Sequence, residues 1–318
     1  SETRPWLVLV GCFLIATGFN AYVFAPASIM PPFVAAFGID KPAAGLSISV
    51  VFLAWVLLQV PGGLLMDRYD NRRLVWGGVL VFLAAAVAGL FAPTYPAFLA
   101  TRFVGGATAV FLWTANANIV GRSFPSARRA VGTSLFVASA PAGVTLAQAA
   151  GPSLEAAVGW RGVVAAYAIV AVCGVPPFVG ALDAPVRNES ALSVGTFAAA
   201  LGDRRVLAIA LSSFCAYSLF VFFNSWMPTY AVEVIGVDAG TAGTLAALLP
   251  AMGLAARPGG GWLSDRIDGR RRPVIVAAFL VVIPALVVAA VATSVVGFAA
   301  ALLFAGVGSQ LGTGVFYV

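Results

Sequence analysis

Long apolar stretches separated by short polar connections make up most of the chain. Ten of them reach the roughly 20 residues that a helix needs to cross the hydrocarbon core of a membrane. We number them spans 1 to 10: residues 6–36, 42–66, 74–92, 95–120, 128–152, 161–181, 205–234, 239–264, 273–292 and 295–318. Because a helix satisfies its own backbone polar groups in lipid, this pattern predicts an all-α polytopic membrane protein with ten transmembrane helices.

One connection is longer and more polar than the others. Residues 182–204 contain Pro185, Asn188, Glu189 and two arginines. A composition shift of this kind marks a boundary between two halves. It predicts an N-terminal six-helix bundle at 1–181, a cytoplasmic inter-domain loop at 182–204 and a C-terminal bundle of four helices at 205–318. A mildly amphipathic piece near 192–201 is expected to lie on the cytoplasmic membrane surface.

A charged motif occurs twice, each time between two apolar spans. The pattern G-x-L-x-D-R-x-D-x-R-R stands at residues 63–73 and again, 198 residues later, at 261–271. Such a charged cluster cannot lie in hydrocarbon, so both copies, the motif loops, are predicted at a membrane surface. Further matches at nearly the same spacing are Met-Pro at 30–31 and 227–228, Gly-x-Asp at 38–40 and 236–238, and Ala-Gly at 44–45 and 242–243. Parallel repeats of this kind are typical of one architecture of secondary transporters.

Composition and charge agree with a membrane protein. The chain is 61% hydrophobic and 9% charged, with a mean hydropathy of +0.99, whereas soluble domains carry roughly 25% charged residues. Of the 18 lysines and arginines, 14 fall at the N-terminus or in alternate connections. This asymmetry predicts a cytoplasmic N-terminus in a prokaryotic-type inner or plasma membrane. The basicity therefore reports topology and contact with membrane lipid, and no nucleic-acid partner is expected.

The residue inventory excludes several kinds of chemistry. Histidine is absent, which removes His-based metal sites, haem ligation through His and Ser–His or Cys–His catalysis. The three cysteines lie inside apolar spans, so no disulfide framework is implied. We expect no cofactor and no metal, and we do not expect an enzyme.

These features together resemble the major facilitator superfamily. The first motif loop is similar to the family's motif A, with Asp70 in place of the usual glycine, and Asp268 departs in the same way. Arg102-x-x-x-Gly106 is similar to motif B, and Gly151-Pro152 and Trp160-Arg161 also fit the family. The resemblance implies alternating access, in which two bundles rock around a central cavity. The family has twelve helices, so helices 11 and 12 are expected to be missing from this chain.

Arg257 is the sharpest candidate for solute binding. It precedes Asp265 by eight residues, which places it about 12 Å inside one end of its helix and near the middle of the membrane. A fixed guanidinium at that depth can bind a carboxylate or oxyanion. The surrounding residues 254–260 resemble helix 8 of nitrate/nitrite carriers, but Gln59 stands where those carriers have a second arginine. A structural role, in which Arg257 bonds helix carbonyls, remains the alternative.

Two further groups of candidates follow from the resemblance, which implies that helices 1, 4, 7 and 10 line the cavity. Beside Arg257, the solute-binding candidates are Arg102, Asn20, Tyr22, Trp113, Asn116, Asn118, Tyr217, Asn224, Trp226, Ser309 and Gln310. Arg102 has the alternative of reaching the outer interface. The gating candidates in the motif loops are Asp67, Arg68, Arg72, Asp265, Arg266 and Arg270. Asp67 is expected to hold the cytoplasmic side shut, with the alternative of a solvated loop.

The resulting functional prediction is a secondary active or facilitative transporter of a small solute, expected to be an organic or inorganic anion. No Asp or Glu falls in the middle of spans 1, 4, 7 or 10, where proton symporters need a titratable group. A coupling proton or a counter-anion therefore both remain open. The alternatives are an exporter of amphipathic compounds, which should have a wide aromatic cavity, and a non-transporting membrane sensor on the same fold.

Overall fold

The fold was analysed in a computed structural model that describes residues 3–181, 185–186, 202–267 and 271–316. The side chains at 127, 209, 261, 264, 265, 271 and 312–316 are outside this description. Every regular element among the described residues is helical. The α-helices are α1 (Arg4–Ser28), α2 (Met30–Phe37), α3 (Lys41–Arg68), α4 (Asn71–Leu90), α5 (Tyr95–Ala107), α6 (Asn116–Ser123), α7 (Arg129–Val137), α8 (Ser139–Cys173), α9 (Val175–Ala181), α10 (Arg204–Tyr230), α11 (Ala239–Ala251), α12 (Gly253–Arg266), α13 (Arg271–Val291) and α14 (Val295–Phe316). A 3₁₀ turn lies at Ser126–Arg128, and π-helical turns lie at Val110–Ala115 and Ala231–Ile235.

Helices cover the described residues of all ten predicted spans, but the boundaries of the helices differ from those of the spans. Within the described residues, eight helical stretches are long and apolar enough to cross a membrane. One of them, residues 129–181, contains both span 5 and span 6. Gly159 separates the two with a backbone at φ 71° and ψ 163°, a conformation that favours glycine. Residues 295–316 of span 10 form α14.

The repeated Gly-x-Asp sequence ends one helix and begins the next in both halves. Gly38 follows α2 with φ 61°, and Gly236 follows the second π-helical turn with φ 80°. Two residues later, the carboxylate of Asp40 accepts a hydrogen bond from the backbone of Ala43 and caps α3. Asp238 caps α11 in the same way, with Thr241 N–H as one donor. The repeat is therefore a left-handed glycine followed by an N-cap.

The buried apolar side chains form two separate clusters. The larger one runs from Val8 to Ala181 and includes Phe220, and the smaller one runs from Ala231 to Ala305. Two cores are what two helix bundles require. The predicted division at residues 182–204 remains a prediction, because most of that loop, with the piece near 192–201, lies outside the described residues.

The two halves meet at the end of the molecule that carries Gly38 and Gly236. Lys41 at the start of α3 forms an ion pair with Glu233 in the second π-helical turn. In the same region the side-chain amide of Gln148 donates to the carbonyl of Asn224 at 2.6 Å. Helices α8 and α11 approach each other so closely that a Cβ built on Gly243 would lie 2.4 Å from the carbonyl oxygen of Gln148. This end is therefore packed between the halves.

Candidate solute cavity

A cavity of about 1150 Å³ lies between the two halves. Most of its wall comes from one face of α3 and one face of α10, with additions from α1, α8, α12 and the first π-helical turn. Aromatic side chains dominate this wall. The ones that line it are Phe52, Trp55, Trp113, Phe214, Tyr217, Phe222 and Trp226.

Arg257 reaches this cavity from α12 while being only 4% exposed. Its Nε donates to Oε1 of Gln310 at 2.8 Å, and its Nη1 donates to the carbonyl of Val137 at 3.0 Å. The Cζ atom lies 5.6 Å from the ring centroid of Phe220. Neutral amide and carbonyl acceptors thus hold the guanidinium in place. The guanidinium bonds a helix carbonyl and also borders the cavity, and its role in solute binding stays a prediction.

Several other predicted residues line the same cavity. Asn20 from α1 and Tyr217 from α10, which are equivalent under the internal repeat, both contribute to its wall. Trp113 and Trp226 contribute as well, and Trp226 packs against Gly45 of α3. Spans 1, 4 and 7 therefore do supply lining residues.

Arg102 and Tyr22 are brought together away from the cavity wall. Arg102 is fully buried, and its Nε, Nη1 and Nη2 donate to the carbonyls of Ser47, Tyr22 and Val23 at 2.7 to 2.9 Å. Its Cζ atom also lies 4.1 Å from the ring centroid of Tyr22. This arginine neither lines the cavity nor reaches the outer interface. It fastens α5 to α1 and α3, so the geometry favours a structural role over the predicted contact with solute.

The remaining polar candidates do not line the cavity that the described residues form. Asn116 and Asn224 donate through Nδ2 to the carbonyls four residues earlier in their own helices, at 2.9 and 2.7 Å. Gln310 is fully buried behind Arg257 and positions it. Asn118 accepts from Arg122, and Ser309 donates to the carbonyl of Gly306. These side chains support the helices around the site.

Apart from Gln59, sequence reasoning missed the contribution of α3. Ser49, Phe52, Trp55 and Gln59 all line the cavity, whereas the resemblance pointed to spans 1, 4, 7 and 10. A signal was present, because these positions follow the three- and four-residue spacing that puts side chains on one helical face. A stripe of hydroxyl, aromatic and amide groups on an otherwise apolar helix indicates that the face meets a cavity.

Asp70 holds the first motif loop together. Asp70 caps α4, and its carboxylate accepts from Nε and Nη2 of Arg72 at 3.0 and 2.8 Å. It also accepts from the backbone N–H of Val186 at 3.0 Å, while Asn71 N–H donates to the Val186 carbonyl at 2.8 Å. Burial raises the pKa of Asp70, but the hydrogen bonds from Arg72 and Val186 outweigh it and leave the pKa below its ordinary value. The residue that replaces the family's glycine thus ties the start of the inter-domain loop to α4.

The other gating candidates are only partly described. Asp67 is half-buried and Arg68 exposed in the last turn of α3. In the second motif loop, the Cζ atom of Arg266 lies 4.1 Å from the ring centroid of Trp262. The side chain of Asp265 and all of Arg270 lie outside the described part of the chain. The gating roles therefore stay predictions.

Comparisons with known proteins place the chain in a family. The model of the Major Facilitator Superfamily matches residues 8–318. Similar proteins include the probable galactarate/D-glucarate transporter GudP of Escherichia coli (strain K12), 24% identical over 83% of this chain and 66% of that protein. The probable nitrate/nitrite antiporter NarK1 of Thermus thermophilus is 27% identical over 70% of this chain and 55% of that protein. The 4-hydroxybenzoate transporter PcaK of Pseudomonas putida is 24% identical over 83% of this chain and 67% of that protein.

Solved structures agree on the fold. A bacterial homologue of the human lysosomal transporter Spinster, in an inward-facing and unoccupied conformation, matches with a TM-score of 0.74 and 17% identity. The match covers 99% of this chain and 75% of that structure. The chain spans between 55% and 67% of the length of the three relatives named above. On its sequence and its fold, the chain belongs to the major facilitator superfamily.

Proposed function

We propose that the protein moves a small anionic solute across a membrane by alternating access, with Arg257 as the electrostatic anchor. The observation that carries this proposal is the place of Arg257 in the wall of a large, mainly apolar cavity. Gln310 and Val137 hold the guanidinium in position there. An anion that enters gains a charge-assisted hydrogen bond, worth about 1.5–3 kcal/mol.

The relatives support an anionic solute. Their names specify galactarate or D-glucarate, nitrate or nitrite, and 4-hydroxybenzoate, which are all anions at neutral pH. The described residues of the cavity wall include no Asp or Glu. This favours facilitative transport or exchange for a counter-anion over symport with a proton carried by a lining carboxylate. The membrane orientation that we propose is a cytoplasmic N-terminus, with both motif loops on the cytoplasmic side.

In this orientation the packed end of the molecule is the outer one. The ion pair between Lys41 and Glu233 and the close approach at Gly243 then close the cavity toward the outside. We assign Asp67, Arg68 and Arg72 to the cytoplasmic gate, together with Asp265, Arg266 and Arg270 in the second copy. Arg72 would act there through Asp70, with which it pairs.

The aromatic wall also favours a second candidate, an exporter of amphipathic compounds. A wide aromatic cavity is what such an exporter needs, and the two proposals differ in the role of Arg257. An exporter of neutral or cationic compounds gains nothing from a guanidinium in the wall. Its ligand binding would be the same with and without that charge.

The thermal stability of the purified protein, measured with acetate, nitrate, benzoate, D-glucarate and neutral benzamide, tests the proposal. A ligand that binds only the folded state stabilises it by RT ln(1 + [L]/Kd), about 2.7 kcal/mol at a hundredfold excess over Kd. We expect at least one of the anions to raise the melting temperature of the wild type. The response should disappear in Arg257→Gln and persist in Arg205→Gln, a matched loss of an exposed arginine outside the described cavity wall. Stabilisation by benzamide alone, equal in all three proteins, would support the exporter instead.

A further inference from the structure

We propose that the solute is an aromatic monocarboxylate, a planar ring that carries one carboxylate. This inference rests on the proposed function and narrows it, because it concerns the body of the solute as well as its charge. Three properties of the cavity lead to it: the number of charges in the wall, the arrangement of aromatic rings and the hydrogen bonds of the polar side chains.

The charge in the wall matches one carboxylate. Among the described residues that line the cavity, Arg257 is the only cation. Gln59, a neutral amide, lies in the same wall. A dicarboxylate would have to place its second charge against apolar side chains, which is costly unless that charge is paired. One cation therefore selects a monoanion.

The aromatic rings form a continuous series that begins beside Arg257. Phe220, which the guanidinium faces, contacts Tyr217 with ring centroids 5.8 Å apart. Tyr217 meets Phe52 at 6.0 Å with nearly perpendicular rings, and Phe52 stacks on Trp55 at 6.3 Å with an interplanar angle of 14°. Tyr217, Phe52 and Trp55 all line the cavity.

The same series returns to Arg257 on the other side. Trp55 meets Trp113 at 6.4 Å, and Trp113 meets Phe136 at 5.1 Å. Phe136 is followed by Val137, whose carbonyl accepts a hydrogen bond from Arg257. The series therefore runs along the cavity wall, with its rings at the separations that favour stacked and edge-to-face contacts. A ring bound by its carboxylate to Arg257 would meet this aromatic wall.

The backbone adopts a special conformation where it presents Trp113. Residues Val110–Ala115 form a π-helical turn within an otherwise α-helical span. Such turns are rare in proteins as a whole, but those that occur often lie at functional sites, because the extra residue changes the direction of the side chains that follow. Here the turn places Trp113 between Trp55 and Phe136. This is a second, independent feature of the same aromatic wall.

Three of the polar side chains of the wall donate to carbonyls of their own helices. Ser49 and Ser225 donate to the carbonyls four residues earlier at 3.3 and 2.8 Å, and Asn20 donates to Ala16 at 2.8 Å. A polyhydroxylated solute needs many free partners to replace its hydration. A small inorganic anion would contact the guanidinium but few of the rings in a space of about 1150 Å³. An apolar aromatic body fits both the size and the chemistry.

Four probes of graded chemistry test this inference in the purified protein: benzoate, cyclohexanecarboxylate, acetate and benzamide. Their dissociation constants are measured by equilibrium dialysis with labelled compounds. We expect benzoate to bind roughly three- to tenfold more tightly than cyclohexanecarboxylate, the range that aromatic pairs contribute beyond buried area. Trp113→Leu should remove this preference. The control is Trp76→Leu, because Trp76 lies in α4 outside the described cavity wall and is 40% exposed. This variant should retain the preference for benzoate.

The outcomes separate the inference from the proposed function. If benzoate, cyclohexanecarboxylate and acetate bind equally and all lose affinity in Arg257→Gln, the anion site stands and the aromatic class is refuted. If benzamide binds as tightly as benzoate and Arg257→Gln changes neither, the proposed anion function itself fails. The probe series in the wild type decides the question even if Trp113→Leu does not fold.

Discussion

Gly243→Ala is expected to open the packed end of the molecule. Gly243 lies in α11, where a Cβ would come within 2.4 Å of the Gln148 carbonyl oxygen and 3.0 Å of Pro152 Cγ, both in α8. The nearest obstacle is backbone, which cannot turn aside as a side-chain tip can. Overpacking of this kind costs about 1–3 kcal/mol. The cost applies only in conformations in which α8 and α11 touch.

The magnitude follows from a two-state treatment. If the transporter exchanges between states closed and open at this end, a penalty of 1–3 kcal/mol on the closed state changes their ratio by roughly 5- to 150-fold. Thr229 lies in a small pocket of about 110 Å³ at this end, together with Lys41 and Glu233. A cysteine at this position should therefore report the opening.

The assay is the labelling rate of Thr229→Cys by a membrane-impermeant maleimide, in a background without Cys12, Cys173 and Cys215. We expect Gly243→Ala to raise the rate at least about fivefold. Gly259→Ala is the matched control, because it adds a Cβ in α12 where no atom lies within 4 Å. Equal labelling rates in the two variants would refute the reasoning that this contact holds the end closed.

Two further predictions concern charged residues whose contacts are structural. Asp70→Ala should lower the free energy of unfolding by about 2 kcal/mol, because it removes an N-cap together with the hydrogen bonds from Arg72 and Val186. The control Asp203→Ala removes mainly an N-cap and should lower it by about 1 kcal/mol. The pKa of Asp70 is lower in the folded state than in the unfolded state. Its contribution to stability is therefore present above the unfolded pKa of about 4 and is lost as the pH falls through the folded pKa. Denaturation followed across pH 2–6 checks this, and identical profiles for wild type and Asp70→Ala would contradict it. Arg102→Gln should destabilise the protein by at least about 3 kcal/mol, since three buried carbonyls lose their donor; a melting temperature within 1–2 °C of the wild type would show that the carbonyls find other partners.

The sequence predicted the spans well because their length and apolar character are set by the membrane. It predicted the break between spans 5 and 6, where Gly159 interrupts the helix. It did not predict the π-helical turn at 110–115, which interrupts span 4. That turn depends on how the neighbouring helices pack, and the local sequence does not mark it.

The sequence predicted the charged residue of the candidate site, but only some of the residues that shape the cavity around it. The depth of Arg257 along its helix follows from residue counting, and the structure places it in the cavity wall. Arg102 is equally buried, but its rotation about the helix axis turns it toward the carbonyls of Ser47, Tyr22 and Val23. Counting along a helix gives depth, whereas the direction of a side chain depends on which helices pack beside it. For the same reason the α3 residues Phe52 and Trp55 were missed.

Counterflow of labelled benzoate into proteoliposomes preloaded with unlabelled benzoate tests most directly whether the protein transports an anion through Arg257. The account predicts that wild-type protein and Arg205→Gln accumulate label transiently above the equilibrium level. It predicts that Arg257→Gln does not, although the variant folds and inserts. Accumulation by Arg257→Gln at the wild-type rate would contradict the central claim, because the anion would then cross the membrane without the guanidinium.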